Sequence, residues 1–197
     1  MFYDTQSNAH GLRHDPFKAI VAPRPIGWIS TLGPDGIVNL APYSFFNAVA
    51  ENPPYVMFAS AGRKDSQRNA EATGEFVCSI VSYDLREAMN LTSASVGPDI
   101  DEMALAGLAP APSRLVKPPR VAPAPAALEC RYWKTVPLPS RGAEGYAMVI
   151  GEVVGVHIED RFIVDGRVDT VAMQPIARMG YGDYAVVEGK FSLRRPG

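Results

Sequence analysis

The chain has 197 residues, of which 47% are hydrophobic and 20% are charged, and its formal net charge is −2. This length suits one sizeable core, so we assign residues 1–197 to a single domain. The near-neutral mixture of both signs excludes the basic surface of a nucleic-acid-binding protein, and it excludes a polybasic membrane arm.

The apolar runs and the cysteines bear on the compartment. The longest apolar runs, residues 147–150 and 153–156, are broken by glycine or charge and are too short to span a bilayer. The N-terminus lacks the basic and then apolar stretches of a secretory signal. Cys78 and Cys130 are the two cysteines, and neither lies in a Cys-x-x-Cys pair. We therefore expect a cytoplasmic protein whose cysteines are reduced and buried, rather than joined in a disulfide.

Proline and glycine are in excess, with 18 and 17 residues respectively. So many helix-breaking residues exclude a bundle of long helices. Because they separate runs of β-branched residues, they favour a sheet-dominated fold with many turns.

The N-terminal quarter predicts a polar leader followed by a hairpin. The leader covers residues 1–18. Residues 26–32 alternate as a strand, residues 33–36 have the composition of a turn, and residues 37–41 return as a second strand. We expect the proline that opens residues 42–47 to end this ladder, which leaves an aromatic loop that is buried or covers a flat ligand.

The middle of the chain predicts a strand, a cationic loop and a helix. Residues 55–60 form an apolar strand, and a short loop with Gly62 leads to a helix over Asp65–Thr73. Gly74 stands where a helix commonly ends. Residues 75–82 then predict another strand that is buried on at least one face.

The following segment predicts two short helices, over residues 85–92 and 100–106. The proline-rich segment 109–126 has the composition of extended or loop structure. We place it within the domain rather than between domains, because the strand pattern resumes at once in residues 126–136.

The longest predicted strand is Tyr146–Ile158, and its length favours a bulge at Gly151 or Gly155. Asp165-Gly166 then marks a further hairpin. The pattern as a whole predicts six or seven antiparallel strands, which a barrel would close without long exposed edges.

The sequence contains no motif for acid–base, nucleophilic or metal catalysis. We find no Gly-x-Ser-x-Gly, no His-Glu-x-x-His, no phosphate-binding Walker loop and no dinucleotide-binding Gly-x-Gly-x-x-Gly that opens a helix. His10 and His14 lie four residues apart, but Gly11 disfavours the helix that would bring them together, so no metal site is predicted. We assign no catalytic side chain and expect a bound cofactor to provide the reactive group.

Three clusters have the composition of a cofactor site. They are Ser30-Thr31 in the first strand, the aromatic loop 42–47, and the stretch from Ser60 to Asn69 with its glycine, cations and helix start. Each also has an ordinary explanation, respectively a strand end, a barrel plug and a solvated corner. A ligand with an anionic end and a flat aromatic end would account for all three together.

Three motifs carry a family resemblance. They are Pro23-Arg24-Pro25-Ile26-Gly27-Trp28-Ile29-Ser30-Thr31, Asn39-Leu40-Ala41-Pro42-Tyr43-Ser44-Phe45-Phe46-Asn47, and Arg63-Lys64-Asp65-Ser66 with Asn69. In order and spacing they resemble the flavin reductase-like, FMN-binding split-barrel family, which includes flavoredoxins. Gly151-Glu152-Val153-Val154 and Arg178-Met179-Gly180-Tyr181 extend the likeness to nearly the whole chain.

The resemblance implies a mainly β fold, a six-stranded antiparallel split barrel with a few short helices. It also implies a homodimer with FMN near the subunit interface. The phosphate would be held by the hydroxyls and cations of Ser30, Thr31, Arg63, Lys64 and Ser66. Ser60, at the start of the same stretch, is also assigned to the cofactor site. The isoalloxazine ring would be lined by Pro42, Tyr43, Ser44 and the backbone up to Asn47.

Five further residues are open to two interpretations. Trp28 can belong to the core or contact the cofactor. His157 can face the ring or a nicotinamide, or it can be a structural histidine. Arg178, Tyr181 and Tyr184 can reach over the flavin of the same or of the neighbouring subunit.

The implied activity is that of an NAD(P)H:flavin oxidoreductase, in which nicotinamide passes a hydride to flavin N5. A monooxygenase or another acceptor would then take the electrons. One alternative is a flavoredoxin-like FMN electron carrier that does not oxidise NAD(P)H directly. Another is a dimeric, proline-rich interaction module that has lost flavin, which the intact phosphate-side residues disfavour.

Overall fold

The fold is mainly β, with a few short helices, in a computed structural model that describes residues 1–196. The strands are β1 (Arg24–Pro25), β2 (Gly27–Leu32), β3 (Val38–Tyr43), β4 (Phe46–Glu51), β5 (Pro54–Ala61), β6 (Glu75–Ile80), β7 (Pro110–Ala111), β8 (Arg120–Val121), β9 (Ala126–Leu138), β10 (Tyr146–Ile158), β11 (Ile163–Val164), β12 (Arg167–Val168), β13 (Ile176–Arg178) and β14 (Tyr184–Val186). The helices are α1 (Phe17–Ile20), α2 (Asp65–Thr73), α3 (Arg86–Leu91) and α4 (Glu102–Leu105), with 3₁₀ turns at Tyr83–Leu85 and Asp160–Phe162. None of these helices is both long and apolar enough to cross a membrane.

The main sheet has seven antiparallel strands in the order β3-β2-β6-β9-β10-β5-β4. Its two edge strands are consecutive in the chain, and only Ser44 and Phe45 separate them. The sheet must therefore curl until its edges meet at this link, although no ladder joins β3 to β4. We call this opening between the edge strands the seam. The geometry confirms the expected split barrel, with seven strands in the sheet in place of six.

The extra strand, β4, begins within residues that the sequence assigned to a loop. The prediction that the ladder ends at Pro42 was wrong, because β3 continues through Pro42, opposite Trp28, to Tyr43. Proline is tolerated there because β3 is an edge strand and needs N–H donors on one side only. Residues 46–51 then form β4, which pairs with β5.

Most of the other predicted elements are confirmed. Helix α2 occupies the predicted residues, and Gly74 ends it with a φ of 75°. Strand β10 also has the predicted bounds, and its register with β9 shifts at Gly151 and at Gly155. At Gly151 a Cβ atom would lie 2.4 Å from the ring of Phe76, so only glycine permits this close approach.

The two larger apolar clusters pack on the two faces of the sheet. The barrel interior contains aromatic and small residues, among them Phe58, Phe76 and the two cysteines, which are free and fully buried as expected. The outer cluster packs α3 and α4 against the sheet around Trp28. The Trp28 indole N–H donates to Thr92 Oγ1 over 2.9 Å, so Trp28 is a core residue with a satisfied polar atom.

The proline-rich segment is held to the sheet by one buried carboxylate. Glu129 on β9 is fully buried and accepts hydrogen bonds from the amides of Arg114 (2.8 Å), Leu115 (2.6 Å) and Val116 (3.2 Å), and it also contacts His157. Burial alone would raise the pKa of Glu129. The hydrogen bonds from His157 and the amides outweigh burial and hold the pKa below its usual value.

We expect Glu129→Gln to lower the free energy of unfolding by about 2–3 kcal/mol, because the new amide group faces backbone donors that it cannot accept from. Urea unfolding measures this. Glu87→Gln is the control, since Glu87 lies on the surface of α3 with its side chain 81% exposed, and it should change stability by less than about 0.5 kcal/mol.

The difference between wild type and Glu129→Gln should also depend on pH. Because the folded-state pKa is lowered, the carboxylate stabilises fully above the ordinary pKa of about 4.3, and this contribution is lost as pH falls through the folded-state value. A difference that stays constant from about pH 7 to about pH 3 would contradict the role given to this carboxylate.

Candidate functional site

A cavity of about 490 Å³ opens at the seam of the barrel. One wall is the end of β3 with the link 44–45, and the floor is the loop and first turn at residues 63–66. The opposite wall is formed by residues 92–96, which follow α3, and by Glu102 of α4. A volume of this order is typical of small-molecule and cofactor sites.

The floor of the cavity is the N-terminus of α2. Gly62 has a φ of +72°, which lets the chain leave β5 sharply, and Ser60 Oγ donates to the Gly62 carbonyl over 2.8 Å. Lys64 is the N-cap residue and provides no side-chain hydrogen bond to the first turn. The amides of this turn therefore remain available to an anion, which the helix dipole also favours.

Three cations border this floor, and two of them are already paired. Arg63 bonds Glu71 at 2.7 Å, and Arg68 contacts Asp65. Burial would raise the pKa of Glu71, but hydrogen bonds from Gln67 and Arg63 hold it below its usual value. Lys64 forms no ion pair or hydrogen bond through its ammonium group with any residue from 1 to 196, so its charge is available to a ligand.

A buried polar network fixes the first turn of α2 to the β2–β3 hairpin. The Asn39 amide donates to Ser66 Oγ over 2.8 Å and to Thr31 Oγ1 over 3.4 Å. Asn69 also donates to Thr31 Oγ1, over 3.2 Å. Burial raises the pKa of the adjacent Tyr43 phenol, and hydrogen bonding with Ser66 partly offsets this effect. Tyr43 is therefore a neutral hydrogen-bonding group in the cavity wall.

The structure brings together part of the predicted site. The predicted residues that line the cavity are Pro42, Tyr43, Ser44, Arg63, Lys64 and Ser66. The others lie outside its lining. Thr31 lies behind Ser66, Ser60 bonds within the turn, and Ser30 Oγ donates to the Pro119 carbonyl over 2.7 Å. Asn47 is exposed on β4, where its Oδ1 accepts from the following amide.

His157 is also outside this cavity. It lies on β10 against the buried Glu129 carboxylate, beside a separate surface depression. This position fits a structural histidine, which is one of the two interpretations that the sequence left open for His157. No group of three or more His, Cys, Asp or Glu residues within 1–196 is arranged to hold a metal ion.

Sequence reasoning missed the wall opposite β3. Residues 92–96 carry hydroxyls directly after a helix, which is only a weak signal, and the Trp28–Thr92 hydrogen bond fixes their position. Glu102 is 7% exposed and accepts from the Leu40 amide over 2.9 Å. Burial raises the pKa of Glu102, the Leu40 amide opposes this shift, and Asp65 adds to it. No local pattern links Glu102 to the first turn of α2.

The cavity lining combines two chemically different groups. The uncapped amides and the Lys64 ammonium are polar donors, whereas Ala41, Pro42 and Phe45 present apolar surface. No histidine or cysteine lines the described part of the cavity. The arrangement suits an elongated ligand with an anionic group and a flat ring, and it provides no nucleophile–base pair.

Comparisons with known proteins agree with this geometry. A family model described as "Flavin reductase like domain" matches residues 21–171. An uncharacterised protein of Aquifex aeolicus is 37% identical over 183 residues, which cover 89% of this chain and 90% of that protein.

Two solved structures are similar over almost their whole length. Nitrilotriacetate monooxygenase component B from Bacillus cereus has a TM-score of 0.90 and 30% identity, covering 98% of both chains. The 2-nitrobenzoate 2-nitroreductase NbaA of Pseudomonas fluorescens has a TM-score of 0.87 and 28% identity, covering 100% of this chain and 96% of that one.

We expect Asn39→Ala to lower the free energy of unfolding by roughly 1–3 kcal/mol, because it removes the donor that buried Ser66 and Thr31 share. Urea unfolding at neutral pH measures the change. Asn47→Ala is the matched control, since this exposed asparagine bonds only the neighbouring amide, and it should stay within about 0.5 kcal/mol. Equal effects of the two substitutions would contradict the role of the network.

Proposed function

The chain belongs to the flavin reductase-like family, and we propose on this basis that it is an FMN-binding oxidoreductase whose cofactor lies in the cavity at the seam. The observation that carries the proposal is the pairing of an uncapped helix N-terminus and an unpaired lysine with an apolar wall in one cavity. FMN has the matching parts, a phosphate at one end and a flat ring at the other.

The phosphate would be held by the first turn of α2. The amides of this turn and the Ser66 hydroxyl provide hydrogen bonds, while Lys64 provides an unpaired charge. Arg63 lies at the same edge but is shared with Glu71. Thr31 and Ser60 would contribute by holding the turn in place. The Ser30 hydroxyl already donates to the Pro119 carbonyl, so in this arrangement it would not contact the phosphate directly.

The ring would lie along β3 and the link that follows it. Pro42 and Phe45 offer apolar surface, while Tyr43 and Ser44 bring hydroxyl and backbone groups to the polar edge of the ring. Asn47 lies on β4, beyond the link, so the ring would contact Asn47 only if it extended past the link. The wall at residues 92–96 would exclude water from the other side of the cavity.

FMN held by the first turn of α2 and by the end of β3 would supply hydride transfer from NADH or NADPH at N5 and onward electron transfer to an acceptor. The protein's own contribution is to bind and orient, because a positioned donor and acceptor need no side chain as base. The Ser44 hydroxyl would stabilise negative charge at the edge of the ring. The similarity to a monooxygenase component supports a monooxygenase as the acceptor.

We also propose a cytoplasmic homodimer with FMN near the interface. Support comes from large apolar side chains left exposed on the paired strands β9 and β10, namely Trp133 (59%), Leu138 (39%) and Tyr146 (43%). Exposed apolar groups that cluster in this way are typical of interaction surfaces.

Lys64→Ala should weaken FMN binding about tenfold and leave riboflavin binding nearly unchanged, because riboflavin lacks the phosphate that the ammonium group pairs with. Quenching of flavin fluorescence gives both dissociation constants. Lys117→Ala, an exposed lysine that lines none of the cavities described, is the control. Equal losses for both ligands would remove Lys64 from the phosphate site.

The reductase and the electron carrier differ in their reaction with reduced nicotinamide. The purified protein should turn yellow with added FMN, and anaerobic NADH or NADPH should bleach the flavin absorbance at catalytic rates. Stopped-flow absorbance measures this. A yellow protein that stays oxidised at high concentrations of both nucleotides would favour the flavoredoxin-like carrier. Failure to bind FMN at all would overturn both.

A further inference from the structure

A second cavity, of about 420 Å³, lies on the other side of the link between β3 and β4. It shares Pro42, Ser44, Phe45 and Ser93 with the first cavity, so the two are separated only by this wall. We call it the basic pocket, because Lys18, Arg24 and Arg178 line it. A molecule that rests against Ser44 in the first cavity can therefore extend into the basic pocket.

The basic pocket contains positive charge without a counter-ion. No aspartate or glutamate from residues 1–196 lines it. Lys18 is exposed and its ammonium group forms no ion pair in this part of the chain. Arg24 on β1 lies directly opposite Arg178 on β13. Burial, and then the neighbouring charge of Arg178, lowers the pKa of Arg24. Like charges held together in this way favour an anion between them.

Arg24 also carries an unused donor. It is only 6% exposed, and its terminal nitrogens donate to the carbonyls of Lys18, Val21 and Met179, the last over 2.7 Å. Its Nε is buried and has no hydrogen-bond partner. Buried unpaired donors are uncommon because they cost free energy, so this atom calls for a partner that the folded chain does not provide.

Arg178 is held in place without a carboxylate. It donates to the Tyr184 hydroxyl and, over 2.6 Å, to the Tyr181 carbonyl, and its Cζ lies 4.5 Å from the centre of the Tyr184 ring. Neutral groups therefore fix the guanidinium and leave its charge uncompensated. The two tyrosines form part of the same pocket.

We propose that the basic pocket binds the anionic group, a carboxylate or a phosphate, of the co-substrate that exchanges electrons with the flavin. This inference rests on the proposed function, since it places the reacting part of that co-substrate against Ser44 and Phe45. Arginine suits carboxylates and phosphates, because both can accept two parallel hydrogen bonds from one guanidinium group. The site would select anionic co-substrates over neutral ones of the same shape.

The test is isothermal titration calorimetry on the full chain, with and without bound FMN. Benzoate and uncharged benzamide probe a carboxylate, and NAD⁺, which cannot reduce the flavin, probes a phosphate. Arg178→Gln and Lys18→Gln are the variants, and Lys117→Gln is the matched control. Lys18 is exposed and its side chain forms no hydrogen bond in the part of the chain that the structure describes, so its replacement leaves folding intact.

We expect Arg178→Gln to weaken benzoate or NAD⁺ about tenfold and Lys18→Gln to weaken the same probe less, with benzamide and FMN binding unchanged. If only benzoate binding is weakened, the co-substrate of the basic pocket is an acceptor with a carboxylate. If only NAD⁺ binding is weakened, the co-substrate is the nicotinamide nucleotide. The proposal would be overturned if Arg178→Gln weakened the binding of benzamide as much as that of benzoate. It would also be overturned if Arg178→Gln bound the anionic probes as tightly as the control variant Lys117→Gln does. Because FMN affinity is measured separately, failure of the pocket is distinguishable from failure of the cofactor site.

Discussion

The side chain of Asn39 holds the candidate site together. Its amide joins the first turn of α2 to the β2–β3 hairpin through Ser66 and Thr31. The next residue, Leu40, donates its backbone amide to Glu102 and so fixes α4 on the other side of the cavity. Two adjacent residues of β3 thus position the floor and part of the far wall. Because these contacts are buried, they fix the floor and the far wall relative to one another.

Two buried charged groups show how this fold treats charge. Glu129 has its carboxylate satisfied by three consecutive backbone amides and by His157, so it is a structural group that anchors the proline-rich segment. Arg24 is almost as deeply buried, yet it faces another arginine and keeps one donor unpaired. The first arrangement is complete within the chain. The second is incomplete, which is the physical mark of a binding site rather than of a core contact.

Local sequence signals were sufficient for much of the fold. Alternating residues around a glycine-rich turn predicted the β2–β3 hairpin, and the terminal glycine predicted the end of α2. Strand β10 has its predicted bounds, and its register shifts at both of the glycines that were candidates for a bulge. The error at Pro42 has a different origin. Whether a strand tolerates proline depends on whether it lies at the edge of the sheet, and strand order is not encoded locally.

The same distinction applies to the candidate site. The residues that are contiguous in the chain, such as Lys64 with Ser66 and Pro42 with Ser44, were predicted and do line one cavity. Ser30 and Asn47 fit the same motifs, but cross-strand geometry turns them away from the cavity lining. Residues 92–96 and Glu102 reach the cavity only through tertiary packing of α3 and α4, which no spacing within the sequence reveals.

The proline within β3 has a consequence for the protein as a solute. An open seam leaves two strand edges, and such edges can pair with a strand of another molecule and begin aggregation. Pro42 lacks an N–H and so interrupts the row of donors that an incoming strand would need. Pro42, which lines the cavity with apolar surface, therefore also disfavours intermolecular strand addition. The barrel can remain open at this point without a strand edge that promotes aggregation.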